Sequence, residues 1–282
     1  MTLAAITPGE LDTLVSYVYD LCGILLDQSK AYLLESRLGP LLKEFQCTNY
    51  RALYDKARSD PSKNISNRIV DAICTGETSF FRDTLPFELL QCKLLPEALD
   101  RITHSAPGAP PTLSIWSAAC STGQEAYSIA MTLKACPLAL QRHRITILGT
   151  DISDTAITQA SSGRYNKVEI ARGLTPDKIS RYFDTVDTYW RVKDELRALV
   201  SFRKLNLLEP LVGLGKFDII FCRNVAIYFS QQDRTRLFDR LADHLHPTGA
   251  LVIGATESLR GVSTRYLRQV HHNTAFYQLC EQ

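Results

Sequence analysis

The chain has no C-x-x-C pair, although it carries eight cysteines, at positions 22, 47, 74, 92, 120, 136, 222 and 280. Closely paired cysteines mark structural zinc sites, and dense disulfide frameworks belong to short secreted chains. With neither pattern present, the cysteines read as free thiols buried among apolar neighbours, and no metal is expected. Charge of one sign is also missing, since 32 Lys and Arg stand against 30 Asp and Glu, a formal net charge of +2. That balance argues against nucleic acid or an anionic membrane as the main partner. No apolar run approaches the roughly 20 residues that cross a bilayer. The segment Met1 to Leu11 has neither the positive start nor the apolar run of a secretory signal. A cytoplasmic protein without membrane insertion is the expectation. The glycine fingerprint G-x-G-x-x-G is absent too, which weighs against a pyrophosphate-containing cofactor.

What is present divides into two textures. The 282 residues, 45% of them hydrophobic, are enough for two domains with a substantial core. Residues 1–75 read as helices only. Leu11, Leu14, Val15, Val18 and Leu21 recur at helical spacing, and Leu33, Leu34, Leu38, Leu41 and Leu42 repeat the pattern. Gly39-Pro40 is expected to interrupt that second helix, because proline lacks a backbone donor and clashes with the previous turn. Further helices are expected over Asn49 to Arg58 and Ile65 to Cys74. Residues 76–111 read as a linker and an interdomain helix, ending in the stiff Pro107-Gly108-Ala109-Pro110-Pro111.

From 112 to 282, strands alternate with helices. Strands are expected over Leu113 to Ala118, Ile145 to Thr150, Phe217 to Cys222, Ala250 to Ile253 and Thr274 to Leu279. Helices are expected over Gln124 to Cys136, Asp154 to Ser162 and Gln231 to Leu245. This alternation predicts an α/β, Rossmann-like, mostly parallel sheet. A small antiparallel β insert, about 180–204, is expected to stand off it, built from Arg181 to Val186, Tyr189 to Val192 and Leu199 to Lys204.

Three segments carry the chemistry. In Ile115-Trp116-Ser117-Ala118-Ala119-Cys120-Ser121-Thr122-Gly123-Gln124-Glu125 a strand ends in small residues and a helix begins, so backbone can approach a ligand closely. By itself such a loop is equally a tight strand-to-helix turn. Asp151 closes Ile147-Leu148-Gly149-Thr150-Asp151, at the strand tip where an acid grips a ribose diol. Its bland alternative is a helix N-cap, a role that Ser153 and Asp154 fill better. Loop and acid together point to a nucleoside cofactor, and the single glycine favours S-adenosylmethionine over NAD. The third segment is Phe217-Asp218-Ile219-Ile220-Phe221-Cys222-Arg223-Asn224-Val225-Ala226-Ile227-Tyr228-Phe229, a buried strand that delivers polar residues at its carboxyl end. Its Asn-Val-Ala-Ile-Tyr differs from the Asn-Pro-Pro-Tyr of enzymes that methylate base amines. On composition alone, Thr75-Gly76-Glu77-Thr78-Ser79-Phe80-Phe81-Arg82 reads as an aromatic seal between domains.

These segments, with Gly149-Thr150-Asp151-Ile152, Arg181-Tyr182-Phe183, Asn206-Leu207-Leu208 and Glu257-Ser258-Leu259, occur in an order that resembles the CheR family of chemotaxis receptor methyltransferases along nearly the whole chain. The resemblance implies S-adenosylmethionine-dependent methylation of glutamate side chains on chemoreceptors, with S-adenosylhomocysteine as product. It places Gly76, Thr78, Arg82, Glu125, Asp151, Asn206, Leu207, Arg223 and Asn224 around the cofactor, and Arg82 and Tyr228 nearest the transferred methyl. The family often has Asn at Gly76 and Glu at Gln124. The rival readings are a catalytically silent S-adenosylmethionine-binding regulator and a methyltransferase of another target.

The resemblance also implies that the N-terminal helices dock on the cytoplasmic methylation helices of receptors. Residues 30–68 hold eight bases against four acids, and residues 1–29 hold no Lys or Arg. Lys30, Arg37, Lys43 and Arg51 are the docking candidates, although most such bases simply face solvent. Some members also hold a receptor's C-terminal pentapeptide on the β insert. Here only Asp184 to Trp190 separate Arg181-Tyr182-Phe183 from Arg191-Val192, which looks shorter than in those members. No pentapeptide tether is expected.

Overall fold

The structure is a computed structural model that describes residues 5–74, 76–105, 111–136 and 143–280. Helix α1 (Pro8–Cys22) starts in a capping box, in which Thr7 and Glu10 satisfy each other's backbone N–H. It ends at Gly23, whose φ of 71° allows its N–H to turn back onto the Tyr19 carbonyl. Helix α2 (Ala31–Glu44) follows, then α3 (Tyr50–Ser59), capped by Asn49, and α4 (Asn64–Ile73). Leu14, Leu34, Leu38, Leu53 and Ile69 meet in a core of their own.

Proline does not break α2, contrary to expectation: the helix runs unbroken through Pro40. Both Pro40 and Ser36, whose carbonyl loses its helical partner, are exposed, so water can satisfy that group.

Helix α5 (Leu85–Leu89) passes through a π turn (Leu90–Leu94) into α6 (Leu95–Ser105). The α/β part then unfolds as β1 (Thr112–Ala118), α7 (Gln124–Lys134), β2 (Arg144–Asp151), α8 (Asp154–Ser162) and β3 (Arg164–Tyr165). Next come α9 (Lys167–Ala171), α10 (Pro176–Tyr182), β4 (Phe183–Val186), β5 (Tyr189–Val192), α11 (Asp194–Arg197) and β6 (Val200–Lys204). The chain closes with β7 (Phe217–Cys222), α12 (Gln231–His244), β8 (Leu245–Ile253), β9 (Tyr266–His271) and β10 (Thr274–Leu279).

Among the described residues the main sheet has seven strands in the order β6-β2-β1-β7-β8-β10-β9. The first five run parallel, and β10 and β9 are antiparallel. Central β7 is buried at every position, which is why it reads as apolar without alternation apart from Asp218, whose carboxylate is paired with Arg101 at 2.7 Å. The strand order reverses at β1, between β2 and β7, so a crevice opens at the carboxyl ends of these three.

The small antiparallel sheet exists, but its membership differs from expectation. Its order is β3-β5-β4, with Arg164-Tyr165 as the third strand. Leu199 to Lys204 supplies instead β6, the edge of the main sheet paired with β2. Polar residues on an edge strand look like those of an insert, and only the partner distinguishes them. The cysteines also divide. Cys22, Cys120 and Cys222 are buried, Cys47, Cys74 and Cys136 intermediate, and Cys92 and Cys280 exposed. Cys92 lies in the π turn, on its exposed side between Gln91 and Lys93. Pro107 to Pro110 of the expected stiff loop lie outside the described residues. Among the described residues no helix is long and apolar enough to cross a membrane.

Candidate active site

The crevice at the strand reversal is a cavity of about 280 Å³. Its floor is the loop between β1 and α7, where Ala119 (φ 58°) and Ser121 (φ 50°) adopt left-handed backbone. Gly123 (φ 94°) opens α7, and a Cβ there would stand 2.9 Å from the Ala160 Cβ, so α8 packs directly against this turn. The turn is held by the Cys120 N–H on the Thr150 carbonyl at 2.8 Å and the Tyr165 hydroxyl on the Thr122 carbonyl at 2.8 Å.

Asp151 projects from the tip of β2. Its Oδ2 accepts the Ser121 N–H at 2.8 Å and its Oδ1 accepts the Ser153 N–H at 3.0 Å. Burial pushes its pKa up, against these backbone hydrogen bonds, which pull it down. Each oxygen has a second lone pair, so the carboxylate can still accept hydroxyl donors from the cavity. Ser153, not Asp151, caps α8.

At the tip of β7 the Arg223 side chain is 2% exposed. Its Nη1 donates to Glu125 Oε2 at 2.9 Å, and its Nη2 donates to the Asp83 carboxylate at 2.7 Å and the Arg82 carbonyl at 2.9 Å. The other Glu125 oxygen accepts from Ser117 at 2.7 Å. Glu125 and Arg223 therefore line the cavity as a bonded pair. Asn224 follows in left-handed backbone (φ 57°), held by its N–H on Glu257 Oε2 at 2.9 Å. That same oxygen accepts the Gly254 N–H at 2.7 Å.

The helical domain forms the remaining wall through Cys22, Ile24, Asp71 and Cys74. Hydrogen bonds clamp it on both sides. Asp71 accepts from Ser153 at 2.6 Å and Thr155 at 2.8 Å, and Asn206 Nδ2 donates to the Leu21 carbonyl at 3.1 Å. The Leu25 N–H donates to the Tyr228 carbonyl at 2.9 Å. Cys22 and Cys74 perturb each other: the neighbouring thiol pulls Cys22 down, and Cys22 together with burial pushes Cys74 up.

Gly76, Thr78, Arg82, Glu125, Asp151, Asn206, Leu207, Arg223, Asn224 and Tyr228 thus all line one cavity. Their side chains are not equally free. Asn206 ties the domains together, and Arg223 pairs with carboxylates, whereas Tyr228, 38% exposed, stands at the rim. The Gly76 carbonyl accepts from the Ser121 hydroxyl at 3.1 Å. Phe80 does not seal the domain interface: it is buried against Tyr165 and Phe183 of the small sheet. Among the docking candidates, Lys43 and Arg51 are exposed and Lys30 half-buried. Arg37 turns inward to cap α4, donating to the Ile73 carbonyl at 2.6 Å. Sequence reasoning missed Asp71, Asp83, Cys22 and Cys74. Only Asp83 left a signal, as the neighbour of Arg82.

A mostly parallel sheet with an acid at a strand tip, a small-residue loop and a crevice at its switch point is the arrangement that enzymes of nucleoside cofactors use. Residues 76–276 match the family described as CheR methyltransferase, SAM binding domain, and residues 9–74 match CheR methyltransferase, all-alpha domain. The chain is 41% identical over 249 residues to the chemotaxis protein methyltransferase Cher2 of Pseudomonas putida, covering 87% of this chain and 88% of that one. It is 38% identical over 273 residues to a chemotaxis protein methyltransferase of Vibrio parahaemolyticus, covering 94% and 95%. It is 35% identical over 261 residues to that of Borreliella burgdorferi, covering 91% and 90%. The chain belongs to the CheR methyltransferase family, and it is an S-adenosylmethionine-dependent methyltransferase.

Proposed function

We propose that the protein methylates glutamate side chains on the cytoplasmic methylation helices of chemoreceptors, acting in the cytoplasm. The convergence of the Asp151 carboxylate, Arg82 and Tyr228 on one cavity carries this reading, in a chain of this family. S-adenosylmethionine, when bound, supplies a methyl group activated on a sulfonium and leaves as S-adenosylhomocysteine. Asp151 takes the ribose hydroxyls, while Thr78, Leu207, Asn224 and the backbone of Gly76 and Asn206 surround the rest. Arg223 and Glu125 act as a pair that sets the shape of the cavity.

A glutamate is ionised at neutral pH, so no residue needs to act as a general base. The chain's task is alignment and exclusion of water. Arg82, held at its Nη1 by the Glu77 carbonyl at 2.9 Å, keeps further N–H groups to orient the incoming carboxylate. Tyr228 offers a ring wall and a hydroxyl beside it. Lys30, Lys43 and Arg51 attract the acidic receptor helices, and no C-terminal pentapeptide is needed.

The test uses tritiated cofactor and receptor-bearing membranes. Base-labile label on receptor glutamates is expected, and receptor that stays unlabelled overturns the reading. Arg82→Ala should slow transfer by roughly a hundredfold and Tyr228→Phe by about tenfold, because these contacts count chiefly in the transition state. S-adenosylhomocysteine affinity should change far less. Full activity in Arg82→Ala would leave Arg82 a packing residue.

A further inference from the structure

The turn that carries Arg82 is unusual in its backbone. Phe81 (φ 51°), Asp83 (φ 65°) and Thr84 (φ 35°) all adopt positive φ without being glycine. Side chains with a Cβ disfavour this region, and such conformations persist only where the surroundings enforce them. On one side of Arg82, the Phe81 N–H donates to Ser128 Oγ of α7 at 2.9 Å, and the Phe81 ring packs edge-on to Phe87 at 5.2 Å. On the other side the fixing group is Arg223. Its Nη2 reaches both the Arg82 carbonyl and the Asp83 carboxylate, and its guanidinium lies over the Phe87 ring at 5.8 Å. Arg223 Nε is buried without a hydrogen-bond partner, so the pose of the guanidinium is set from its Nη side by Glu125, Asp83 and that carbonyl.

We propose that Asp83 is a positioning residue for methyl transfer: with Arg223 and Glu125 it forms a carboxylate–guanidinium–carboxylate chain that fixes the strained turn from which Arg82 reaches the substrate. The inference rests on the role given to Arg82 above. Asp83 is 41% exposed at its side chain and does not line the cavity, so it acts through the turn and not by touching the cofactor. Glu125 alone neutralises Arg223, which makes Asp83 dispensable for charge balance in the interior. Its carboxylate is needed for geometry, because with the Arg82 carbonyl it draws Nη2 to the turn and supplies the charge-assisted half of that contact.

The experiment is a double-mutant cycle on the rate of methyl transfer to receptor-bearing membranes at saturating cofactor. Asp83→Asn should slow transfer roughly tenfold, the weight of a lost charge-assisted hydrogen bond. Its affinity for S-adenosylhomocysteine should stay within about threefold, since no cofactor contact is removed. The Arg82→Ala/Asp83→Asn protein should be no slower than Arg82→Ala alone, because Asp83 then has nothing left to position. Multiplying effects would overturn the proposal and make Asp83 a residue of general stability, as would full activity in Asp83→Asn. If Arg82→Ala alone is fully active, the role of Arg82 itself fails, and this single variant reports that separately. Should Asp83→Asn melt below the assay temperature, the same cycle run with Asp83→Glu decides. That variant keeps the charge and shifts it by one methylene, and the same lack of additivity is expected.

Discussion

Asp151 is the residue whose environment makes the sharpest demand. Its carboxylate is held by two backbone N–H groups, yet burial raises its pKa. Ribose hydroxyls donate to the ionised form, and protonation removes the acceptor they need. A raised pKa therefore means that cofactor affinity starts to fall at a higher pH than an ordinary aspartate would allow. Calorimetry with S-adenosylhomocysteine across a descending pH series should show this loss. Asp151→Ala should flatten it and bind roughly tenfold to a hundredfold more weakly at neutral pH, the worth of a charged hydrogen bond. Affinity that holds constant down to about pH 4, where an unperturbed aspartate half-titrates, would remove Asp151 from the ribose site. The position of this acid was legible in the sequence, because a strand tip is a local feature. The inward turn of Arg37 and the Arg223–Glu125 pair were not, because a long side chain's partner depends on what the fold brings beside it.

At the scale of elements, the end of α1 links the two domains. Gly23 adopts φ +71°, and a Cβ on it would stand 1.9 Å from Leu208 Cδ1 and 3.5 Å from the Phe229 ring. Gly23→Ala therefore meets backbone strain of about 1–2 kcal/mol and also displaces Leu208. A fall in melting temperature of several degrees is expected, since each kcal/mol is worth about 2–4 °C in a chain of this size. Cys22 and Ile24 flank the glycine and line the cavity, so affinity for S-adenosylhomocysteine should fall as well. An unchanged melting curve would mean that α1 is not seated against Leu208. Helices with strong periodicity were legible almost to the residue, as Asp154–Ser162 was. Pro40 misled because its helix-breaking tendency is local, whereas α2 is stabilised by Leu34, Leu38, Leu41 and Leu42 packed into the helical core.

For the whole molecule, the small sheet bears on the proposal that receptors are found without a peptide tether. Its β4–β5 hairpin turns through Asp187 and Thr188 alone, with Asp187 at φ 52°, so no longer loop extends from that edge. On the proposed reading, a peptide added there finds little chain to grip and recognition falls to the N-terminal basic surface. Titration with the C-terminal pentapeptide of the receptors should give no saturable binding tighter than about 10 μM, near −7 kcal/mol. Tighter binding would restore the tether. The sequence by itself determined the helical and α/β halves, the parallel core strands and the acid at the tip of β2, because periodicity, burial and strand ends are properties of neighbouring residues. Tertiary structure alone decided that Val200–Lys204 joins the main sheet, that Cys22, Asp71 and Cys74 wall the cavity, and that Asp83 meets Arg223. These are pairings across 50 to 140 positions of chain, such as Leu148 with Ser201 or Asp83 with Arg223, and no local signal carries them.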